Sequence, residues 1–316
     1  MTQPVQGRGR FAPSPTGLLH LGNLRTALLA WLFARYSGAS FVLRMEDIDR
    51  QRTRQGHAEQ ILADLRWLGL DWDEGPDVGG PFAPYVQSER TALYAEHLER
   101  LIAAGDLYPC YCSRTDIAEA ASAPHSPLSA AGYPGTCRDP ERRERQKQRN
   151  PGREPSYRFR ITEQHVTSTD DRLRGATAVH LTGPKDDFVV WRADGTAAYQ
   201  LAVVVDDAMM QVGEVVRGAD LYESTPLQLV LFRSFGYRAP RYVHVPLWQN
   251  TEGKRLSKRD GSAGIAALQS EGLTPAGVVG MLAASCGLVE DKTECSPREL
   301  LAAFSPELLI GAQVGA

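Results

Sequence analysis

The chain has 316 residues, 42% of them hydrophobic and 23% charged, which excludes a single small domain and global disorder and suits about two or three modules. A formal net charge of -3 excludes a protein living on non-specific attraction to nucleic acid, while local basic patches still allow an RNA partner. Five cysteines, an odd number, and an N-terminal MTQPVQGRGR without the apolar core of a signal peptide point to a reducing, cytoplasmic setting in which clustered Cys bind metal more often than they pair.

In chain order, Arg8 to Ala12 is a short strand ending at Pro13, and Pro13 and Pro15 stiffen the loop that follows. Leu21, Leu24, Leu28, Leu32 and Phe33 recur at three- and four-residue steps and predict a helix that stops near Gly38. Phe41, Leu43 and Met45 alternate with polar or smaller neighbours as a strand. Strand, loop, helix, strand is a βαβ opening and predicts a parallel sheet. Helices follow near Gln55 to Leu68 and Ser88 to Ala104, with Gly105 at a helix-ending position. From Leu107 to Pro184 the sequence turns irregular, with a strand at Tyr157, Phe159 and Ile161 and a charged run, Glu141 to Arg149, that reads as a solvated helix face able to touch RNA phosphates. Phe188 to Trp191, an Asp194-Gly195 turn and Tyr199 to Val205 predict a hairpin. A helix at Thr225 to Phe235, a strand at Tyr242 to Leu247, a basic loop and a helical tail complete the chain. The longest weakly polar run, Ala276 to Val289, is shorter than the ~20 residues a membrane span needs, so no membrane segment is expected.

Two segments carry chemistry. In Arg10 to Gly22, RFAPSPTGLLHLG, a stiff loop enters a helix whose first amides favour phosphate; Gly22 lets a nucleotide approach the backbone, and His20 can donate to a phosphate oxygen. In Lys254 to Gly261, KRLSKRDG, four cations flank a serine and can neutralise a triphosphate. Together they resemble the HIGH and KMSKS signatures of class I aminoacyl-tRNA synthetases, standing here as His20-Leu21-Gly22-Asn23 and Arg255-Leu256-Ser257-Lys258-Arg259. Asn23 replaces the second histidine and Arg259 the final serine.

Arg10 to Gly17, Leu43 to Asp49 (LRMEDID), Tyr199 to Asp207 and Val216-Arg217-Gly218 resemble the glutamyl branch of that class over about the first 260 residues. The resemblance implies an α/β fold: a Rossmann-like parallel sheet split by an inserted zinc-bearing α+β region, with a short helical C-terminal tail. It implies that Arg10, Phe11, Ala12, Pro13, Ser14, Glu46, Tyr199 and Arg217 bind glutamate. Glu46 would take the α-amino group and Arg217 the side-chain carboxylate, which suits an acid beside an ammonium and an arginine fork against a carboxylate. Pro13, His20, Gly22, Asn23 and Arg255 to Arg259 would bind ATP with Mg²⁺, and His20 and Lys258 would be catalytic. Val203 stands where many glutamyl enzymes have Asn.

The expected division is 1–106, first half of the catalytic domain; 107–184, the insertion; 185–250, the second half; and 251–316, basic loop and helical tail with no anticodon-binding domain. That architecture resembles the glutamyl-queuosine tRNA(Asp) synthetases, which implies tRNA-independent activation of glutamate and its transfer to the queuosine base of tRNA(Asp). The chain is expected to be a cytoplasmic monomer. Rival readings are a truncated glutamyl-tRNA synthetase charging tRNA(Glu), a non-catalytic paralogue binding tRNA or a partner, and another small adenylate-forming ligase. Cys110, Cys112, Tyr133 and Cys137 resemble that family's ligands for one structural zinc, with Asp139 or His125 as competing fourth ligands to Tyr133.

Overall fold

The computed structural model describes residues 7–122, 132–162, 166–248 and 264–311. Arg8–Phe11 forms β1, Leu21–Tyr36 forms α1 and Phe41–Leu43 forms β2. β1 and β2 run parallel with Phe11 opposite Leu43, the opening the sequence pattern predicts. Most of α1 is buried, Leu24 and Leu32 completely. It lies on the sheet on one side and is covered by tail helices on the other, where Phe304 meets Phe33 edge-on at 5.5 Å. At Gly9 the helix comes so close to the strand that a Cβ would sit 2.6 Å from Ala34 Cβ, so only glycine fits there.

The chain continues through α2 (His57–Trp67), α3 (Thr91–Ala103), β3 (Leu107–Cys110), α4 (Arg114–Ser122), α5 (Pro140–Arg149), β4 (Ser156–Phe159), β5 (Val166–Asp171), β6 (Gly175–His180), β7 (Phe188–Trp191), α6 (Tyr199–Met209), β8 (Val212–Gly218), α7 (Thr225–Phe235) and β9 (Arg241–Val245). The tail is α8 (Ile265–Ser270), α9 (Pro275–Ala284), α10 (Pro297–Ala303) and α11 (Glu307–Gly311). A six-stranded sheet has the order β2-β1-β8-β9-β5-β6, all neighbours parallel except β5 and β6. A three-stranded antiparallel sheet has the order β3-β4-β7. This is the expected parallel α/β core with an inserted α+β part and helical tail. The Glu141 to Arg149 run is α5, N-capped by Asp139, with only Gln146 buried. Among the described residues no helix is long and apolar enough to cross a membrane.

Two expectations change. Tyr199 to Val205 is not the second strand of a hairpin but the start of α6. The Asp194-Gly195 turn does form, with Arg192 N donating to Thr196 O, yet the chain bridges only from Trp191 to Ala197 before turning helical. Leu201 to Asp207 are all buried, packed between α3 and α7. A continuous apolar run reads alike for a buried helix and a buried strand. The second change concerns sheet membership. β5 and β6, within 107–184, join the large sheet through Asp171 opposite Tyr242, whereas β7, beyond residue 184, joins the small one. The 184/185 division therefore does not mark a change of sheet.

Candidate active site

A cavity of about 640 Å³ opens at the carboxyl ends of β1, β8 and β9, over the N-terminus of α1, the place where parallel α/β sheets bind ligands. It brings together Arg10, Phe11, Ala12, Pro13 and Ser14 from β1 and its loop, His20, Gly22 and Asn23 from the start of α1, Glu46 beyond β2, Tyr199 at the head of α6 and Arg217 on β8. Tyr199 is 38% exposed, so it stands at the edge. Val203 is 1% exposed, packed within α6 away from the cavity lining. Arg255, Leu256, Ser257, Lys258 and Arg259 lie outside the described residues, as does His125.

His20 is the N-cap of α1. Its Nδ1 accepts from Asn23 N at 3.3 Å while Asn23 Oδ1 accepts from His20 N at 3.4 Å, a reciprocal capping box. This is what Asn23 does where the signature has histidine. Acceptance at Nδ1 leaves the neutral ring its proton on Nε2, the donor a phosphate oxygen requires. Gly22 has a role besides the expected close approach of a nucleotide: a Cβ there would lie 3.1 Å from His20 Cε1, so the glycine makes room for the ring.

Below Glu46 sits a buried charge network whose roles sequence reasoning missed. Arg44, wholly buried, donates from Nη1 to Asp207 Oδ1 at 2.7 Å and from Nη2 to Glu46 Oε1 at 2.9 Å, and its Nε is 3.6 Å from Asp206 Oδ2. Burial opposes its charge, but Asp207, Asp206 and Glu46 outweigh burial and raise its pKa. Burial likewise raises the pKa of Glu46, against the pull of Arg44 and Arg10. Arg10 Nη1 donates to Val216 O at 3.1 Å and its Nε is 3.6 Å from Asp207 Oδ1. The sequence signal was present: an Asp206-Asp207 pair ends an apolar run, and acids inside such runs are rare unless paired.

Arg217 is held differently. It is 4% exposed. Its Nε donates to His244 Nε2 at 3.0 Å, Nη1 to Gln228 Oε1 at 2.8 Å, and Nη2 to Leu221 O at 3.2 Å and Thr225 Oγ1 at 2.8 Å. Among the described residues no carboxylate forms an ion pair with it, so it is a buried cation whose partners are all neutral. Sequence reasoning also missed Arg25, which lines the cavity beside His20 at 2% exposure. Its Nη2 donates to Pro246 O, while Nε and Nη1 have no hydrogen-bond partner among the described residues.

The small sheet carries a second cluster. Cys110, Cys112 and Cys137 are free and buried, with sulfurs mutually within 4.8 Å and Cys112 Sγ 3.6 Å from Cys137 Sγ. Tyr133 Oη lies 3.4 Å from Cys110 Sγ and 3.9 Å from Cys112 Sγ. Zn–S bonds of ~2.3 Å put tetrahedral sulfurs ~3.8 Å apart, so these donors fit a zinc ion. Hydrogen bonds from Cys112 and Cys137, with Arg158 Nε 3.4 Å away, hold the Cys110 thiol far below its ordinary range. Burial pushes Tyr133 up, while Cys137 N donates to its Oη at 2.7 Å and the Arg158 guanidinium stands 3.8 Å from its ring centroid. Asp139, the rival ligand, is occupied as the cap of α5, accepting from Arg142 N at 2.8 Å.

Residues 6–306 match the family described as tRNA synthetases class I (E and Q), catalytic domain. A glutamyl-Q tRNA(Asp) synthetase of Symbiobacterium thermophilum is 53% identical over 94% of this chain and 91% of its own length. The chain belongs to the glutamyl-Q tRNA(Asp) synthetase family of class I. The family's Nocardia farcinica member is 50% identical over 96% of this chain and 91% of its own. A glutamate tRNA ligase of Elizabethkingia meningosepticum, solved in complex with its amino acid, superposes with a TM-score of 0.82 at 32% identity. That match covers 97% of this chain and 66% of the ligase. The cavity at the carboxyl ends of the strands is lined by at least one residue of each string that resembles the glutamyl branch: Arg10, Glu46, Tyr199 and Arg217.

Proposed function

We propose that the chain activates L-glutamate with ATP without needing tRNA, and transfers the glutamyl group to the queuosine base in the anticodon wobble position of tRNA(Asp). The observation that carries the first half is Arg217, a buried arginine with no acidic partner among the described residues, facing the cavity that Glu46 also faces. A ligand with an ammonium for Glu46 and a distal carboxylate for Arg217 completes both, and glutamate has that shape. Arg10 and Ser14 hold it from the strand and loop. The glutamate α-carboxylate oxygen attacks the α-phosphorus of ATP, which enters with Mg²⁺. The bond to the β-phosphate oxygen breaks, giving glutamyl-adenylate and pyrophosphate. His20, Lys258 and the first amides of α1 stabilise the developing charge. A nucleophile on the queuosine ring then attacks the glutamyl carbonyl and AMP leaves. The names of the relatives covering nine-tenths of their own length support this acceptor. Such substrates belong to the cytoplasm, and the chain is proposed to act there as a monomer.

Cys110, Cys112, Tyr133 and Cys137 hold a structural zinc, which when bound supplies a fixed positive centre that draws thiol and phenol protons off their ligands.

The test is glutamate-dependent ATP–pyrophosphate exchange without tRNA, followed by labelled glutamate with tRNA(Asp) that has or lacks queuosine. Exchange with label appearing only on the queuosine-bearing tRNA is expected. Lack of exchange overturns the activation step, and label on tRNA(Glu) alone makes the chain a charging enzyme.

A further inference from the structure

The neutral partners of Arg217 form a chain that ends on a different part of the fold. His244 on β9 is 1% exposed; its Nε2 accepts from Arg217 Nε at 3.0 Å and its Nδ1 lies 2.6 Å from Asp171 Oδ2. Accepting at Nε2 obliges the ring to carry its proton on Nδ1 and donate to Asp171. Asp171, 1% exposed at the end of β5, is fixed in turn by the N–H groups of Leu173 and Arg174 on Oδ1 and of His244 on Oδ2. The β5–β6 hairpin is thereby linked to Arg217 at the cavity through this carboxylate and ring.

We infer that Asp171 and His244 are positioning residues for glutamate recognition: Asp171 fixes the His244 tautomer, and His244 as a neutral acceptor aims Arg217 at the substrate's side-chain carboxylate. This rests on Arg217 being that carboxylate's partner. The Arg217 N–H groups are committed to His244, Gln228, Leu221 and Thr225, leaving one on Nη1 for a ligand. Its direction is therefore set by whichever acceptors hold the others. Protonation of His244 at Nε2 would turn that acceptor into a donor facing another donor, and release Arg217.

The groups around the ring favour the neutral form. Among the described residues Asp171 on β5 is the acid against it; Arg217 on β8 and Arg174 in the β5–β6 turn oppose its protonation, and Tyr222, Tyr242 and Thr225 also contact it. Burial, the largest influence, lowers its pKa from the usual histidine value. Glutamate binding should then weaken as pH falls below the ordinary histidine range, while ATP binding should not.

The experiment compares wild type, His244→Leu and His244→Gln in ATP–pyrophosphate exchange, with KM for glutamate and for ATP measured from about pH 8 down to the lowest pH, about 4.5, at which the folded protein remains active. His244→Leu removes the acceptor, and the glutamate KM should rise about tenfold or more with the ATP KM within about threefold. Glutamine offers a carbonyl that accepts from Arg217 and does not titrate. His244→Gln should recover most of that loss at neutral pH and should no longer show the acid-side rise in glutamate KM that wild type shows. A merely structural histidine would give no change in pH profile on becoming glutamine. Superimposable wild-type and His244→Gln profiles, or a folded His244→Leu with wild-type glutamate KM, overturn the inference. Arg217→Ala separates the two levels: normal glutamate use in that variant removes the pocket assignment and this inference with it, whereas lost glutamate use with unmoved His244 profiles removes this inference alone.

Discussion

Burial raises the pKa of Glu46 although Arg44 Nη2 lies 2.9 Å from its Oε1. A carboxyl whose folded pKa lies above its unfolded one favours the protonated form in the fold. It contributes stability below the ordinary carboxylate range and loses it as pH rises through the folded value. The ionised side chain therefore works against folding, and under the proposed function its charge serves the ammonium of the substrate. Glu46→Gln keeps an acceptor for Arg44 and discards the charge. Its Tm at pH 7.5 should equal or exceed that of wild type, the difference shrinking as pH is lowered toward 4. Its glutamate KM in pyrophosphate exchange should rise by about a hundredfold. A variant that melts several degrees below wild type would show that the carboxylate supports the fold. Glu46 and Arg217 could be singled out in the sequence because the surrounding strings resemble a known branch. Arg44 and His244 could not, since their work lies in contacts across elements, 163 positions apart between Arg44 and Asp207; for Asp206 the sequence offered only an acid pair at the end of an apolar run.

At the scale of elements, the N-terminus of α1 was readable because its signals are local: prolines stiffen the loop, His20 and Asn23 stand three apart, and apolar residues repeat on the helix. α6 was not, because Leu201 to Val205 is apolar without a period and its helical state is set by α3 and α7, which bury it. The hairpin β5–β6 was missed for the opposite reason: Thr167, Ser168, Thr169, Asp170 and Asp171 carry no apolar alternation, and Gly175 to Thr177 are exposed. The close fit at α1 gives a test of its own. Gly22→Ala improves helix propensity, worth up to ~1 kcal/mol in a helix interior, and puts a methyl 3.1 Å from the His20 ring. Stability should change little, the propensity gain offset by any strain on the cap, while the exchange rate falls about tenfold, because the ring can no longer keep both its cap to Asn23 and its place at the cavity. Thermal unfolding alongside exchange kinetics separates the two effects; an unchanged rate would mean the ring yields without consequence.

For the whole molecule, the two sheets interleave along the sequence, with β5 and β6 returning to the large sheet between the second and third strands of the small one. No composition shift marks such a crossing, which is why boundaries at 107 and 184 were the natural sequence-level choice. The interleaving does not mix the sites. Among the described residues, those lining the cavity fall at or before Arg52 and at or after Tyr199, so β3, β4 and the cysteine cluster contribute nothing to it directly. The cluster instead forms a small core of its own with Tyr108, tied through Asp187, which accepts from Tyr108 Oη at 2.6 Å and from Arg138 Nη1 at 3.0 Å. A zinc ion held there would stabilise that core and not the reacting atoms. Carefully purified protein should hold about one zinc per chain. Chelation, or Cys137→Ser, should speed hydrogen exchange and proteolysis in residues 107–162, because three buried thiols and a phenol then lose the centre that joins them. Glutamate activation without tRNA should stay within about threefold, since the cavity keeps every residue it has. Loss of exchange in parallel with loss of zinc would show that the small sheet and the catalytic cavity are one mechanical unit, and metal-free protein with unchanged protection would leave the cysteines as ordinary buried side chains.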